Sequence, residues 1–221
     1  MKTLLTSLVA MLLSAGMPAL AQQPAENPQY AQAMTDALTP MNNRRGQPAT
    51  TDLLASANQF ERIAGVETGQ WLPRYYAALN YIYLGFMGAD AASKDRYLDQ
   101  ADLNLKAASA LAPNNDELAV LKAYVAQARM VVDPMSRWQQ YGPLFQAGIQ
   151  QAKTLNPANP RPYVLEGSSL LYTPAQFGGG TDKACPVLKQ AMEKLATFKP
   201  ASTFAPAWGK QQIEPMLTKC N

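Results

Sequence analysis

The chain has 221 residues, of which 48% are hydrophobic and 16% charged, and its net charge is only +3. This length suits one ordinary domain with a sizeable core, while the balanced charge gives no argument for a nucleic-acid partner or an anionic membrane surface. There is no histidine, which excludes Ser-His-Asp and Cys-His catalysis and histidine-ligated metal sites. No CxxC, HExxH or S-x-x-K pattern occurs, so we expect a protein that is not an enzyme and has no cofactor.

The N-terminal residues have the layout of a secretory signal peptide. Lys2 precedes an apolar run from Leu4 to Leu13, and the small-residue pattern Ala19-Leu20-Ala21 follows. The run is shorter than the roughly 20 residues that a membrane-spanning helix needs. We therefore expect residues 1–21 to be removed, the mature chain to begin at Gln22 without a membrane span, and the protein to be periplasmic or secreted.

Residues 22–49 contain many polar residues and prolines, which predicts a loose N-terminal segment with one short helix from Pro28 to Leu38. The folded domain is predicted to cover 50–221. Its first helix has a candidate cap at Thr51 or Asp52. Apolar residues at helical spacing share one face of this helix: Leu53, Ala57, Phe60 and Ala64.

The segment from Trp71 to Pro113 predicts a helical hairpin with one buried side. The first helix carries an apolar stripe at steps of three and four residues, made of Leu72, Tyr76, Leu79, Tyr83 and Phe86. The second helix carries Leu98, Ala101, Leu105, Ala108 and Ala112. Pro113 ends it, and Asn114 and Asn115 suit the following turn.

This hairpin resembles a tetratricopeptide (TPR) repeat. The small, aromatic and glycine positions of that repeat are matched by Ala78, Tyr81 and Gly85, and the second helix supplies Ala101, Leu105, Ala108 and Pro113. An insertion of about eleven residues around GADAASKDR departs from the 34-residue consensus. The resemblance implies a TPR-like stack of helical hairpins.

Two further hairpins follow at nearly constant spacing. A helix from Asp116 to about Val132 precedes a helix that ends at Asn156-Pro157, about 44 residues after the end of the central hairpin. The next pair has Pro162 near its start and Gly167 as a small packing residue, and it ends at Pro200. A repeated period of this kind predicts a stacked array.

The C-terminal segment is predicted to cap the stack. Its apolar anchors are Phe204, Trp208, Ile213 and Leu217, and Pro215 is expected to kink or split the helix. In an oxidising compartment Cys185 and Cys220 would form a disulfide, although two unpaired thiols are the alternative.

Two clusters outside the repeats are candidate sites. Asp95, Asp99 and Asp102 would share one helical face, and we expect a solvated face balanced by Lys94, Arg96 and Lys106 instead of a metal site. The run Phe177, Gly178, Gly179 and Gly180 precedes a helix, where exposed N–H groups can bind an anion or simply make a turn.

The first helix of the central hairpin is rich in aromatic residues, which serve either as core or as part of a binding groove. On the concave surface implied by the TPR resemblance, the candidate contacts are Arg74, Tyr75 and Asn80. The stripe containing Tyr83 and Phe86 is expected to be packed core.

A second resemblance covers the C-terminal part of the chain. The sequences NPRPYVLEG, TPAQFGGG and PAWG, between about residues 159 and 220, resemble small exported TPR-like proteins of bacteria, some of which are similar to helical accessory subunits of tripartite solute transporters. We therefore expect an all-α, TPR-like stack of about four hairpins. The expected function is a non-catalytic scaffold that binds a protein or peptide, and the alternative is a periplasmic protein that binds a small apolar ligand.

Overall fold

The computed structural model describes residues 27–43 and 46–220. Within these ranges the chain forms nine α-helices, two short 3₁₀ helices and no strand, so the predicted all-α class is confirmed. The predicted signal peptide, residues 1–21, lies outside the described residues. The α-helices are α1 (Pro28–Asn42), α2 (Thr50–Val66), α3 (Trp71–Met87), α4 (Ala91–Leu111), α5 (Asp116–Val132), α6 (Pro134–Leu155), α7 (Arg161–Tyr172), α8 (Thr181–Thr197) and α9 (Lys210–Leu217). The 3₁₀ helices are Ala175–Phe177 and Thr218–Cys220.

Helices that follow one another in the sequence pack together, namely α2 on α3, α3 on α4, α4 on α5, α5 on α6 and α7 on α8. In addition α3 contacts α5, and α5 contacts α7, so these three helices lie next to one another. The TPR-like superhelical arrangement of these helices stays a prediction. No helix among the described residues is long and apolar enough to cross a membrane.

Helix α1 is part of the core, although its segment was expected to be loose. It continues past the predicted end at Leu38 to Asn42. Tyr30 and Met34 are 2% and 0% exposed and belong to the main hydrophobic cluster with residues of α2 and α3. Only one face of α1 is apolar, so the average composition of residues 22–49 is polar and does not indicate that α1 packs into the core.

Local signals determine where the central hairpin turns. At the start of α4, the backbone N–H of Ser93 donates to Asp90 Oδ1 at 2.7 Å, and Ser93 Oγ accepts from the Asp90 N–H at 3.1 Å. This reciprocal pair is a capping box. After α4, Asn114 takes a φ of 58° and Asn115 caps α5 by accepting from the N–H of Leu118. The turn therefore lies where the sequence around Pro113 predicts it.

Glycines allow close approach between helices, as Gly148 and Gly167 illustrate. A Cβ added to Gly148 of α6 would lie 2.9 Å from the backbone nitrogen of Ala123 in α5. A Cβ on Gly167 of α7 would lie 2.6 Å from a methyl group of Leu188 in α8. A larger residue at either glycine would push the paired helices apart.

A disulfide fixes the end of the chain. Helix α9 lies against α7 and α8, where Ile213 is fully buried. Cys185 of α8 and Cys220 are bonded, with their Cα atoms 5.5 Å apart, so the predicted disulfide is confirmed. Closing a loop of this length stabilises the fold by about 3–4 kcal/mol on the chain-entropy model.

Residues 198–209 connect α8 to α9, and we call them the C-terminal strap. The ring of Phe204 is 5% exposed and meets Tyr30 of α1 edge-on at 5.9 Å. The backbone carbonyl of Phe204 accepts a hydrogen bond from the Tyr76 hydroxyl at 2.8 Å. Phe204 therefore does not cap the last hairpin as expected, because the strap carries it back to α1 and α3. Trp208 packs against the cluster of α7, α8 and α9, as expected of a cap, and also against the clusters of the earlier helices.

Candidate functional site

A cleft of about 710 Å³ lies beside the C-terminal half of α3. Its other sides are the end of α1, residues 46–48 before α2, one residue of α5, and the strap together with the start of α9. This volume is within the range of about 300–1,000 Å³ that is typical of small-molecule sites. We call it the aromatic cleft, and its apolar wall consists of Met41, Tyr76, Leu79, Tyr83, Phe86, Met87, Tyr124 and Trp208.

The cleft wall on α3 is the apolar stripe that the sequence predicts to be core. Leu79 is 1% exposed, as a core residue should be, whereas Tyr83 and Phe86 are only partly buried. At the last turns of the stripe, one side of the aromatic rings contacts Tyr124 of α5 and part of their surface lines the cleft. Tyr83 and Phe86 pack against the main hydrophobic cluster, as expected, but they also line the cleft. Helical spacing identifies the apolar face but not what covers it.

Tyr124 is the centre of an aromatic cluster. Its ring meets Tyr83 edge-on at 6.0 Å and Phe86 at 5.4 Å, and it stacks on Trp208 at 5.7 Å with an interplanar angle of 24°. Desolvation, and to a lesser extent Tyr83, raises the pKa of Tyr124 well above its ordinary value. The phenol is therefore neutral at neutral pH, and the wall of the cleft carries no charge here.

Polar groups lie on one side of the cleft. Gln212 Nε2 donates to the Tyr83 hydroxyl at 3.3 Å, and Gln212 Oε1 accepts from the backbone N–H of Gly209 at 2.9 Å. Among the described lining residues the cation is Lys210, whose ammonium lies 3.8 Å from Glu214 and is largely exposed. The cleft thus combines an apolar interior with a polar rim that carries one exposed positive charge.

A group of buried polar side chains lies behind Trp208, and we call Tyr75, Glu117, Asn159 and Arg161 the buried network. Trp208 Nε1 donates to the Tyr75 hydroxyl at 2.8 Å, and that hydroxyl donates to Glu117 Oε2 at 3.4 Å. Glu117 Oε1 accepts from Arg161 at 2.7 Å and from Asn159 at 2.9 Å. Burial raises the pKa of Glu117 to about 7, although Arg161 opposes this shift.

The predicted contacts on α3 lie outside the cleft lining. Arg74 donates to Asn104 Oδ1 of α4 at 3.1 Å. Asn80 is fully buried and donates to the backbone carbonyl of Tyr76 at 2.8 Å. Tyr75 is also fully buried, but it reaches the cleft indirectly because its hydroxyl accepts from Trp208.

The glycine run before α8 forms a turn away from the aromatic cleft. Phe177 is 71% exposed. The three glycine N–H groups all donate to backbone carbonyls at 2.9–3.2 Å: Gly178 to Ala175, Gly179 to Pro174 and Gly180 to Leu170. These donors are used within the turn, which favours the turn over the anion site among the two alternatives.

The aspartates of α4 bind arginines from neighbouring helices. Arg129 of α5 contacts Asp95, Asp99 and Asp102 at 3.3, 2.7 and 2.7 Å, and Arg137 of α6 contacts Asp95 at 2.6 Å. The expected partners, Lys94, Arg96 and Lys106, form none of these ion pairs. The described ranges contain no cluster of three His, Cys, Asp or Glu residues that could hold a metal ion.

The position of Trp208 in the cleft is the feature of the site that is hardest to predict from the sequence. It is bonded to a residue 133 positions away in the chain, and no local pattern reports such a contact. Tyr83 and Phe86 are visible as part of an aromatic-rich helix, which is the one signal that could have identified this wall.

No protein-family model and no curated protein sequence matches the chain. Among solved structures, the chain is similar to one described as the HusA haemophore from Porphyromonas gingivalis, with a TM-score of 0.76 and 36% sequence identity. The match covers 87% of this chain and 92% of the other.

Proposed function

We propose that this chain, which belongs to the family of the HusA haemophore, binds haem in the aromatic cleft. The observation that carries the proposal is the cleft of about 710 Å³ with Tyr83, Tyr124 and Trp208 in its wall. Haem is a flat, largely apolar ring with two carboxylate groups at one edge. Aromatic side chains bind such rings through offset-stacked or edge-to-face contacts.

The expectation of a scaffold that binds a protein or peptide on a concave face is wrong. The solved structure that overturns it is a haemophore, a carrier of a small molecule. The alternative, a protein that binds a small apolar ligand, agrees with this finding. A haemophore is also a binding protein, in agreement with the expectation that the chain is not an enzyme.

The residues of the cleft fit haem as cargo. Histidine, a common ligand of haem iron, is absent from the chain, so tyrosine or methionine would have to approach the iron. The lining offers Met41, Met87, Tyr83 and Tyr124. Stacking of Tyr124 and Trp208 on the ring would contribute to binding in addition to any contact with the iron.

The rim supports a single orientation of the ligand. Lys210, Gln211 and Gln212 line one side of the cleft. The Lys210 ammonium and the Gln211 amide can bind the haem carboxylates at the solvent edge, where ions remain hydrated. The apolar edge of the ring would then point toward Leu79 and Phe86.

Titration of haem, followed by its absorbance, tests the proposal. Tyr124→Leu removes the central ring but keeps an apolar side chain, and we expect it to raise Kd about tenfold because each ring contact contributes about 0.5–1.5 kcal/mol. The matched control is Tyr172→Leu, since Tyr172 is 64% exposed and does not line the cleft. Equal affinity in the two variants would contradict the assignment of the cleft.

The disulfide supports export, because such bonds persist in oxidising compartments. We infer that residues 1–21 are a signal peptide.

We also infer that the folded unit begins at Pro28 and not at residue 50, since α1 is part of the core.

Two observations support a TPR-like stack: α3, α5 and α7 lie next to one another, and the hairpins repeat about every 44 residues.

A further inference from the structure

Trp208 connects the aromatic cleft to the buried network. Its ring stacks on Tyr124 in the cleft wall, while its indole N–H donates to the Tyr75 hydroxyl at 2.8 Å. The guanidinium of Arg161 lies 5.6 Å from the centre of the Trp208 ring, close enough for a cation–π contact. Trp208 is therefore fixed at its ring face and at its N–H.

The strap also forms a hydrogen bond with the buried network close to Trp208. Arg161 Nη2 donates to the backbone carbonyl of Pro206, and Arg161 Nη1 donates to Glu117 at 2.7 Å. The Arg161 and Glu117 side chains are only 1% and 9% exposed. A buried ion pair often stabilises a fold no more than apolar residues of the same volume would. In this pair, Glu117 accepts a hydrogen bond from Tyr75 and Arg161 donates one to the Pro206 carbonyl. These directed hydrogen bonds fix the geometry around the pair, which apolar residues would not do.

We propose that Glu117 and Arg161 are positioning residues which, through the Tyr75 hydroxyl and the Pro206 carbonyl, hold Trp208 as the wall of the aromatic cleft. The network joins α3, α5 and α7 to the strap, so it sets the distance between the strap and Tyr124. This inference rests on the proposed haem site for its functional consequence. The positioning of Trp208 can be measured without any ligand.

The first measurement is hydrogen exchange of the Trp208 indole N–H in the ligand-free protein, followed by NMR. Trp208→Leu identifies the signal. We expect Glu117→Gln and Tyr75→Phe to accelerate exchange at this N–H about fivefold or more, because each removes a buried acceptor or its support. Tyr75→Phe leaves the Glu117–Arg161 pair in place, so it remains informative if Glu117→Gln does not fold.

The matched control is Glu166→Gln. Glu166 on α7 pairs with Lys153 of α6 at 2.5 Å, and neither residue lines the cleft. This variant removes an ion pair of the same type without touching the network, and we expect Trp208 exchange to remain at the wild-type rate. Unchanged exchange in a folded Glu117→Gln variant would overturn the inference, and so would unchanged exchange in Tyr75→Phe.

The second measurement is a double-mutant cycle on the Kd for haem. Glu117→Gln should raise Kd about fivefold in the wild-type background and leave it nearly unchanged in the Trp208→Leu background, since its effect passes through Trp208. An equal rise in both backgrounds would overturn the positioning role. If the wild-type protein does not bind haem, the proposed function fails, and the exchange rates still decide whether the network positions Trp208.

Discussion

The indole N–H of Trp208 donates to the hydroxyl of Tyr75 at 2.8 Å and so joins residues that are 133 positions apart in the sequence. This bond brings the strap against α3, the helix that supplies most of the apolar wall of the cleft. The cleft is consequently a product of tertiary structure, because α3 alone would present its aromatic residues to solvent or to another helix.

The first prediction concerns the attachment of the strap to the core. Phe204 is 5% exposed and packs against Tyr30. Phe204→Ala should lower the free energy of unfolding by about 3–5 kcal/mol, because it removes a buried ring and leaves a cavity. Equilibrium denaturation measures this change. The control is Thr203→Ala, because Thr203 is the exposed neighbour of Phe204. Its free energy of unfolding should stay within about 0.5 kcal/mol of that of the wild type.

The second prediction concerns the glycine run and distinguishes a tightly packed turn from an anion-binding site. A Cβ on Gly179 would lie 2.0 Å from the backbone oxygen of Thr173. Gly179→Ala should therefore destabilise the fold by more than about 2 kcal/mol in thermal unfolding. Gly69→Ala is the control, since nothing lies within 4 Å of that Cβ position. A stable Gly179→Ala variant would argue against the packed turn.

The third prediction concerns the disulfide. Alkylation of the denatured, unreduced protein should modify neither Cys185 nor Cys220, because the two are bonded. The double variant with serine at both positions should lose about 3–4 kcal/mol of stability, as expected for a loop of this size. Two alkylated cysteines in the unreduced protein would contradict the bond.

The fourth prediction is a pH dependence of stability that arises at Glu117. Burial raises its pKa from 4.5 to about 7, with Asp116 adding to the shift and Arg161, Asn159 and Tyr75 opposing it. Between these two pH values the folded protein keeps a proton that the unfolded chain releases. This contribution to stability is therefore fully present below about pH 4.5 and is lost as pH rises through about 7.

The measurement compares the unfolding free energies of wild type and Glu117→Gln between about pH 4.5 and pH 8. Wild-type stability relative to the variant should fall as pH rises to about 7 and then become constant. The glutamine variant is the control for all other titrating groups. A relative stability that increases with pH would mean that Glu117 is ionised throughout the range.

The sequence predicted the helices better than it predicted what they pack against. The predicted bounds of α5, Asp116 to Val132, are those observed, because capping residues and helical spacing act locally. The same spacing could not distinguish core from cleft at Tyr83 and Phe86, since both environments favour apolar side chains. The return of the strap depends on contacts of Phe204 and Trp208 with distant helices, and no local pattern encodes them.

Haem binding in the aromatic cleft is tested most directly by NMR of the indole N–H groups in the presence of ferric haem. Trp208 lines the cleft, whereas Trp138 is 59% exposed on α6 and does not line it. We expect the paramagnetic iron to broaden the Trp208 signal strongly while the Trp138 signal stays sharp. A sharp Trp208 signal at saturating haem, or broadening confined to Trp138, would contradict the account.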